Sequence, residues 1–409
     1  MTDNLNLNSF LRFGYFLNYN HPIYNIKFPA EVSNMYSTFT EDELASIGAK
    51  KLKSAIHNNF IPGRHNLVPL SGGIDSRAML AGILELTEAK NITTFTFGTP
   101  GSQDFEIGRT IARKTGVKHI AFDLTKHIFT FDEMIETSKR IDHQSILFHH
   151  FPLLEVDKIC NGSIVWSGAI IDVFFGRHYH IKKGRTLEEA KSNFIRENVY
   201  VSSTNISNIS DELLFPLIEF DENAAPQIMY EHILDLINRQ IKYVSPHVMP
   251  KGYDYGFLFQ DKDLVQFSFD IELKYIEHQY LYKKMMLKAF PEIFRYKTKS
   301  NFGQPLNVGP FFTNYGRIKQ SLTRALKKRI DTVFDPLVNY IDFNRGIRFR
   351  TDLKNIIYES IQNLKKRNIV PWVDIDKLWE SHMKSGKNHA DALIVLSSLE
   401  IHLQAGKQI

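Results

Sequence analysis

Residues 71–76 read Ser-Gly-Gly-Ile-Asp-Ser: two hydroxyls bracket two glycines and one acid, directly after the run Leu67-Val68-Pro69-Leu70. Gly72 and Gly73 let backbone N–H groups approach an anion closely. The helix favoured by Arg77-Ala78-Met79-Leu80 would add the positive end of its dipole. Ser71 and Ser76 bring hydroxyl donors to the same anion. Asp75 would repel a bare phosphate, so its position points to Mg²⁺, which binds oxygen ligands and bridges phosphate oxygens. The chemistry is that of phosphate binding, but without a Walker A loop, since no GxxxxGK[ST] string occurs. A plain glycine turn between strand and helix is the competing reading; the complete SGGIDS string favours phosphate.

Such a loop has to be held at the carboxyl end of a strand, where open parallel sheets bind their ligands. The flanking pattern supplies that setting. Leu67–Leu70 reads as a strand and 76–88 as a helix. Ile92–Phe97, rich in Thr and aromatics, reads as a strand and 103–115 as a helix closing near Gly116. Val117–Phe122 is a further strand, 145–159 a helix and Ser163–Trp166 a strand. Upstream, Thr40 with Glu43 forms a capping box ahead of a helix whose Leu44, Ile47, Leu52, Ala55 and Ile56 share one face, ended by Ile61-Pro62-Gly63. The alternation predicts an α/β fold, a doubly wound parallel sheet with helices on both faces. Beyond about residue 185 the periodicity is helical, at 225–243, 318–331, 351–367 and 389–404, so a largely helical C-terminal half is expected. Residues 1–39 show no amphipathic period.

The bulk numbers agree with an ordinary globular protein. The 409 residues are 43% hydrophobic and 23% charged, with a net charge of +5 from 50 basic and 45 acidic residues. That surplus does not argue for nucleic acid. One cysteine, Cys160, excludes an internal disulfide and a cysteine-based zinc site, and fits a reducing, cytoplasmic setting. The N-terminus lacks the pattern of a signal peptide. No apolar run approaches the roughly 18 residues of a membrane span. Neither a membrane nor a nucleic-acid partner is therefore expected.

SGGxDS is the signature of the PP-loop ATP pyrophosphatases, and the chain resembles one branch of them, the synthetase domain of the asparagine synthetase family. IVWSGAIIDVFFGRHY (164–179) resembles that family's SGxGxDExFGGY stretch, and FQDKDLVQFSFDIELKYI (259–276) its PFLDxxLVEFAxxLPxxLK stretch. FPEIFRYKTKSNFGQPL (290–306) and HMKSGKNHADALIVLSSLEIHL (382–403) resemble two more, in the family's order. Residues 1–39 are similar to the linker after the glutaminase domain, which leaves 40–184 as the α/β core and 185–409 as the helical remainder. The resemblance implies ATP cleavage to AMP and pyrophosphate, adenylation of a carboxylate, and capture by an amine or ammonia. It implies Mg²⁺ held by Asp75 and Asp172, and a catalytic Lys299. Ser71, Gly72, Gly73, Asp75, Ser76 and Gly168 would hold ATP and its pyrophosphate, and Phe97, Gly98 and Ser102 would border the adenine.

The departures are equally specific. No cysteine precedes Cys160, so the family's glutaminase nucleophile is not expected, and ammonia would come free or from a separate donor or glutaminase. The glutamate that follows the family's Ser-Gly is Ala169 here, its Asp-Glu pair is Asp172-Val173, and Arg177-His178 stands where Gly-Tyr is common. Small-molecule carboxylate and amine substrates are expected, with the acceptor region changed. Other readings stay open. Asp172 could cap a helix, Lys299 could belong to a solvated cluster with Arg295 and Lys297, and Ser102, Gln103 and Asp104 could simply start the next helix. His143, His149 and His150 suit packing better than a metal site. The basic run Arg317, Lys319, Arg324, Lys327, Lys328, Arg329 reads as a solvated helix face. The alternatives for the whole chain are a PP-loop RNA-modifying enzyme and a nucleotide-binding scaffold without turnover.

Overall fold

The computed structural model describes residues 2–20, 22–178, 183–329 and 340–408, without the side chains of 2, 3 and 324–329. Five parallel strands form one sheet: β1 Asn66–Pro69, β2 Ile92–Gly98, β3 Lys118–Asp123, β4 Ile164–Ser167 and β5 Asp254–Phe257. Their spatial order is β3-β2-β1-β4-β5. The chain leaves β1 in one direction through β2 and β3, then returns to β1's other side as β4. The crevice beyond the carboxyl ends of β1 and β4 is therefore the topological switch point, where a doubly wound sheet opens to a ligand. Trp166 Nε1–H donates to Asn66 Oδ1 at 2.8 Å, a buried bond tying β4 to β1.

Helices cover the sheet. In chain order they begin with α1 Thr2–Phe13, α2 Glu41–Asn59, α3 Asp75–Leu84, α4 Gln103–Thr115, α5 Phe131–Arg140, α6 Leu153–Cys160 and α7 Ile171–Phe174. The capping box at α2 is formed as its sequence predicts: the Thr40 hydroxyl accepts from Glu43 N–H, and the Glu43 carboxylate accepts from Thr40 N–H. Gly116 ends α4 in the left-handed conformation, at φ 74°. The C-terminal half is helical, with long helices at Pro310–Arg329, Thr351–Arg367 and Ala390–Gln404. The basic run lies on the first of these, where Arg317 sits over the Phe302 ring; the side chains of Arg324, Lys327, Lys328 and Arg329 lie outside the described residues. Among the described residues no helix is long and apolar enough to cross a membrane.

Three features differ from the sequence expectation. Residues 2–13 are helical although they show no period, because α1 is buried nearly all round. Leu7, Phe10 and Leu11 join the C-terminal helical core, while buried Asn8 accepts from the Ser207 hydroxyl and Asn208 N–H. The helix expected at 145–159 begins only at Leu153. Ser145 bridges Tyr15, Ile146 N–H donates to the Gly14 carbonyl, and Pro152 occupies the N-cap. β5, only four residues with a central glycine, arises within the half expected to be helical.

The helical core also encloses neutral histidines. His402 is fully buried, its Nε2–H donating to the Ser145 carbonyl at 2.9 Å and its Nδ1 accepting from the Ser138 hydroxyl at 2.7 Å. Burial lowers its pKa from the ordinary 6.5 to about 3, and lowers those of His149 to about 4 and His150 to about 3. Below pH 6.5 the unfolded chain takes up protons that the folded chain refuses, so this contribution is complete above that pH and is lost progressively as pH falls towards 3. Urea midpoints measured from pH 7.5 to 5 should fall steadily, and His402→Gln should show a shallower fall than the wild type.

Candidate active site

The Ser71–Ser76 loop leaves β1 and opens α3. Ser71 N–H donates to Ser76 Oγ at 3.1 Å, the two hydroxyls are 3.1 Å apart, and Gly73 N–H donates to Ser71 Oγ at 3.1 Å. No side chain caps the N-terminus of the ten-residue α3, whose dipole points into the loop. This is a cradle suited to an anion. Gly72 lies so close to α4 that a Cβ there would sit 3.1 Å from the Gln103 carbonyl oxygen.

Across the switch point, the loop after β4 closes on the same place. A Cβ at Gly168 would lie 2.8 Å from the Cβ of Asp75, so glycine is what allows β4's end to touch the start of α3. Two residues on, Ile170 adopts φ 73°, an outlier for a β-branched residue and a strain of about 1–3 kcal/mol. That turn starts α7 and carries Asp172, which lies inside the short helix and is not its cap. Asp75 accepts from the buried Tyr282 hydroxyl at 2.5 Å, and Arg177 Nη1 donates to Asp172 Oδ2 at 2.8 Å. Burial, and then the charge of Asp172, push the Asp75 carboxyl well above the ordinary carboxylate range; Tyr282 and Arg177 offset part of this. The half-buried Asp75 and the buried Asp172, with one guanidinium bonded to Asp172, are short of positive charge. Their hard oxygen donors fit Mg²⁺. Among the described residues no third His, Cys, Asp or Glu completes a metal cluster with them.

Ser71, Asp75, Ser76, Gly168 and Asp172 all line one cavity of about 510 Å³. Phe97 lines it from the end of β2, beside Tyr340 at 5.7 Å between ring centroids. Gly98 ends that strand, and Ser102 stands at the N-cap of α4 with its hydroxyl buried and unbonded, so it does not cap the helix; neither reaches the cavity wall. His149 and His150 line the cavity, whereas His143 lies outside it, bonded to Ser138. Lys299 is not in a loose surface cluster. Its Nζ pairs with Asp104 Oδ2 at 2.7 Å, while Asp104 Oδ1 accepts from Gly72 N–H at 3.0 Å. Lys299 thus reaches the phosphate loop from its outer side.

The sequence reading missed the residue that fixes this loop. Arg77, fully buried in the first turn of α3, has no carboxylate partner among the described residues. Its guanidinium donates to the carbonyls of Gly72 at 3.2 Å, Tyr296 at 3.3 Å and Lys297 at 2.5 Å. Gly72's carbonyl also accepts from Lys299 N–H at 2.8 Å and the Thr298 hydroxyl at 3.1 Å. Burial lowers the Arg77 pKa to about 10, which leaves it charged at neutral pH. Tyr282 was missed as well, since nothing in YLYKKMMLKA marks it as an acid's partner.

A five-stranded parallel sheet with an SGGxDS loop at its switch point defines the PP-loop α/β class. Residues 49–150, about a quarter of the chain, match the family model for asparagine synthase. That stretch contains β1 to β3 and the loop, and it is similar to the asparagine synthase family, whose members are ATP-dependent amidating ligases. No curated protein matches the chain. Replacing Arg77 by Met removes three charge-assisted bonds and should lower unfolding stability by roughly 3 kcal/mol, measured from denaturant midpoints. Lost ATP binding in the variant that remains folded would accompany it.

Proposed function

We propose that the chain activates a substrate carboxylate with ATP and transfers the acyl group to an amine. The observation that carries this reading is the pair Asp75 and Asp172, delivered from the two sides of the switch point into the cavity that holds the Ser71–Ser76 loop. A carboxylate oxygen would attack the α-phosphorus, forming an acyl-adenylate and breaking the bond to pyrophosphate. The amine nitrogen would then attack the acyl carbon, losing a proton and expelling AMP.

Each residue has a task in that scheme. Ser71, Gly72, Gly73 and Ser76 form the loop that binds the β- and γ-phosphates. The Ser71, Gly72 and Gly73 N–H groups are held within the loop and by Asp104, so the serine hydroxyls and the uncapped start of α3 are the groups that stabilise the charge growing on the leaving pyrophosphate. Asp75 and Asp172 hold Mg²⁺, which when bound neutralises phosphate charge. Lys299, oriented by Asp104, faces the loop's outer edge, where it can assist departure of pyrophosphate. Phe97 gives the adenine an apolar wall. The amine is ammonia, free or from a separate donor, or an amino group of the substrate itself, and the reaction would run in the cytoplasm.

Exchange of labelled pyrophosphate into ATP isolates the first step. Among free carboxylic acids and fractionated host metabolites, one should support exchange, and Asp75→Ala should reduce it at least 100-fold. Wild-type protein that binds ATP but exchanges with no fraction would favour a scaffold. RNA-dependent exchange would favour an RNA-modifying enzyme.

A further inference from the structure

The geometry points to His178 as the general base of the acyl-transfer step, held in its working tautomer by Asp235. The inference rests on the proposed carboxylate activation and assigns the half of the reaction that this proposal leaves without a proton acceptor.

The amine must lose a proton as it attacks, and the acids already described are committed. Asp75 is bonded to Tyr282 and Asp172 to Arg177, and both are assigned to the cation. Ala169 and Val173 stand where the asparagine synthetase pattern that the chain resembles carries glutamates. Asp75 and Asp172 are the only acids among the described residues of the cavity wall.

His178 lines that wall one residue after Arg177, and a carboxylate backs it. Its Nδ1 is 3.1 Å from Oδ2 of the buried Asp235, which also accepts from Gln240 Nε2 at 3.0 Å. Two donors, Arg239 Nη1 at 3.3 Å and Gln240 Nε2 at 3.2 Å, also approach this nitrogen, and Gln240 Nε2 lies nearer to Asp235 Oδ2. With its hydrogen on Nδ1, towards the carboxylate that is the shortest of the three contacts, the imidazole carries its lone pair on Nε2. Burial alone would raise the Asp235 carboxyl; the hydrogen bonds from His178 and Gln240 and the neighbouring Arg239 guanidinium act in the opposite direction. A base oriented by a third group is the arrangement that activates nucleophiles on unrelated folds. His150 and His247, elsewhere on the wall, face each other at 4.0 Å between ring centroids, without a carboxylate hydrogen bond.

The backbone that carries Asp235 is irregular. Asp235 begins a π-helical segment, Asp235–Val244, and π turns are rare and concentrate at functional sites. Their wider turn sets Asp235 beneath His178 while Arg239, Gln240 and Tyr243 reach the cavity from the same segment.

The test uses the full chain with ATP, Mg²⁺ and the carboxylate fraction that supports exchange, reading pyrophosphate exchange and carboxylate-dependent AMP release separately. AMP release is followed with and without ammonium chloride, and again with hydroxylamine, a nucleophile already unprotonated at neutral pH. His178→Gln should keep exchange within about threefold of wild type and lose AMP release at least 100-fold, the size of a general-base contribution. Hydroxylamine should restore most of the release. Asp235→Asn should lose about 10-fold or more in the same step, also with exchange preserved. AMP release near the wild-type level in His178→Gln, or equal loss of both steps without hydroxylamine rescue, overturns the assignment. Wild-type protein without exchange removes the activation reading itself, and this inference with it.

Discussion

One buried cation organises the phosphate loop. The Arg77 guanidinium sits in the first turn of α3 with backbone carbonyls as its partners, two of them from residues 296 and 297. A buried charge costs several kcal/mol unless its hydrogen bonds are made. The loop and the segment ending at Lys299 are thereby obliged to dock against each other. The consequences run outward from that contact: Gly72's carbonyl is held by three donors, its N–H by Asp104, and Lys299 is brought to Asp104's other oxygen.

The wall opposite the loop is built differently. There the strained turn at Ile170, the close approach at Gly168 and the π segment put irregular backbone around a pocket fed by a regular sheet. Irregular backbone carries a free-energy cost and persists where side chains must be aimed. The far side, with Arg177, His178, Arg239 and Tyr243, is where the chain's own acceptor chemistry would be set.

Much of the sheet was legible in the sequence because its signals are local. Thr40 with Glu43 announced a helix start, Gly116 a helix end, and SGGIDS the end of a strand. Asp172 depended on a longer resemblance, and the structure adds what that could not contain, a guanidinium bonded to it. The illegible parts depend on contacts distant in the chain. α1 hides its helicity because both faces are buried, and Ser145 is drawn out of a helix by Tyr15. Arg77 looks like any surface arginine until residues 296–297 are placed over it, and Asp235 gains meaning only opposite His178.

The carbonyls that hold Arg77 lie 219 and 220 positions further along the chain. A nascent polypeptide that has emerged only as far as the sheet therefore presents the complete SGGIDS string with its arginine still hydrated. Contacts of such sequence separation form late, since a long loop must close before they contribute. The pocket proposed to hold a nucleotide is thus incomplete until synthesis has passed Lys299.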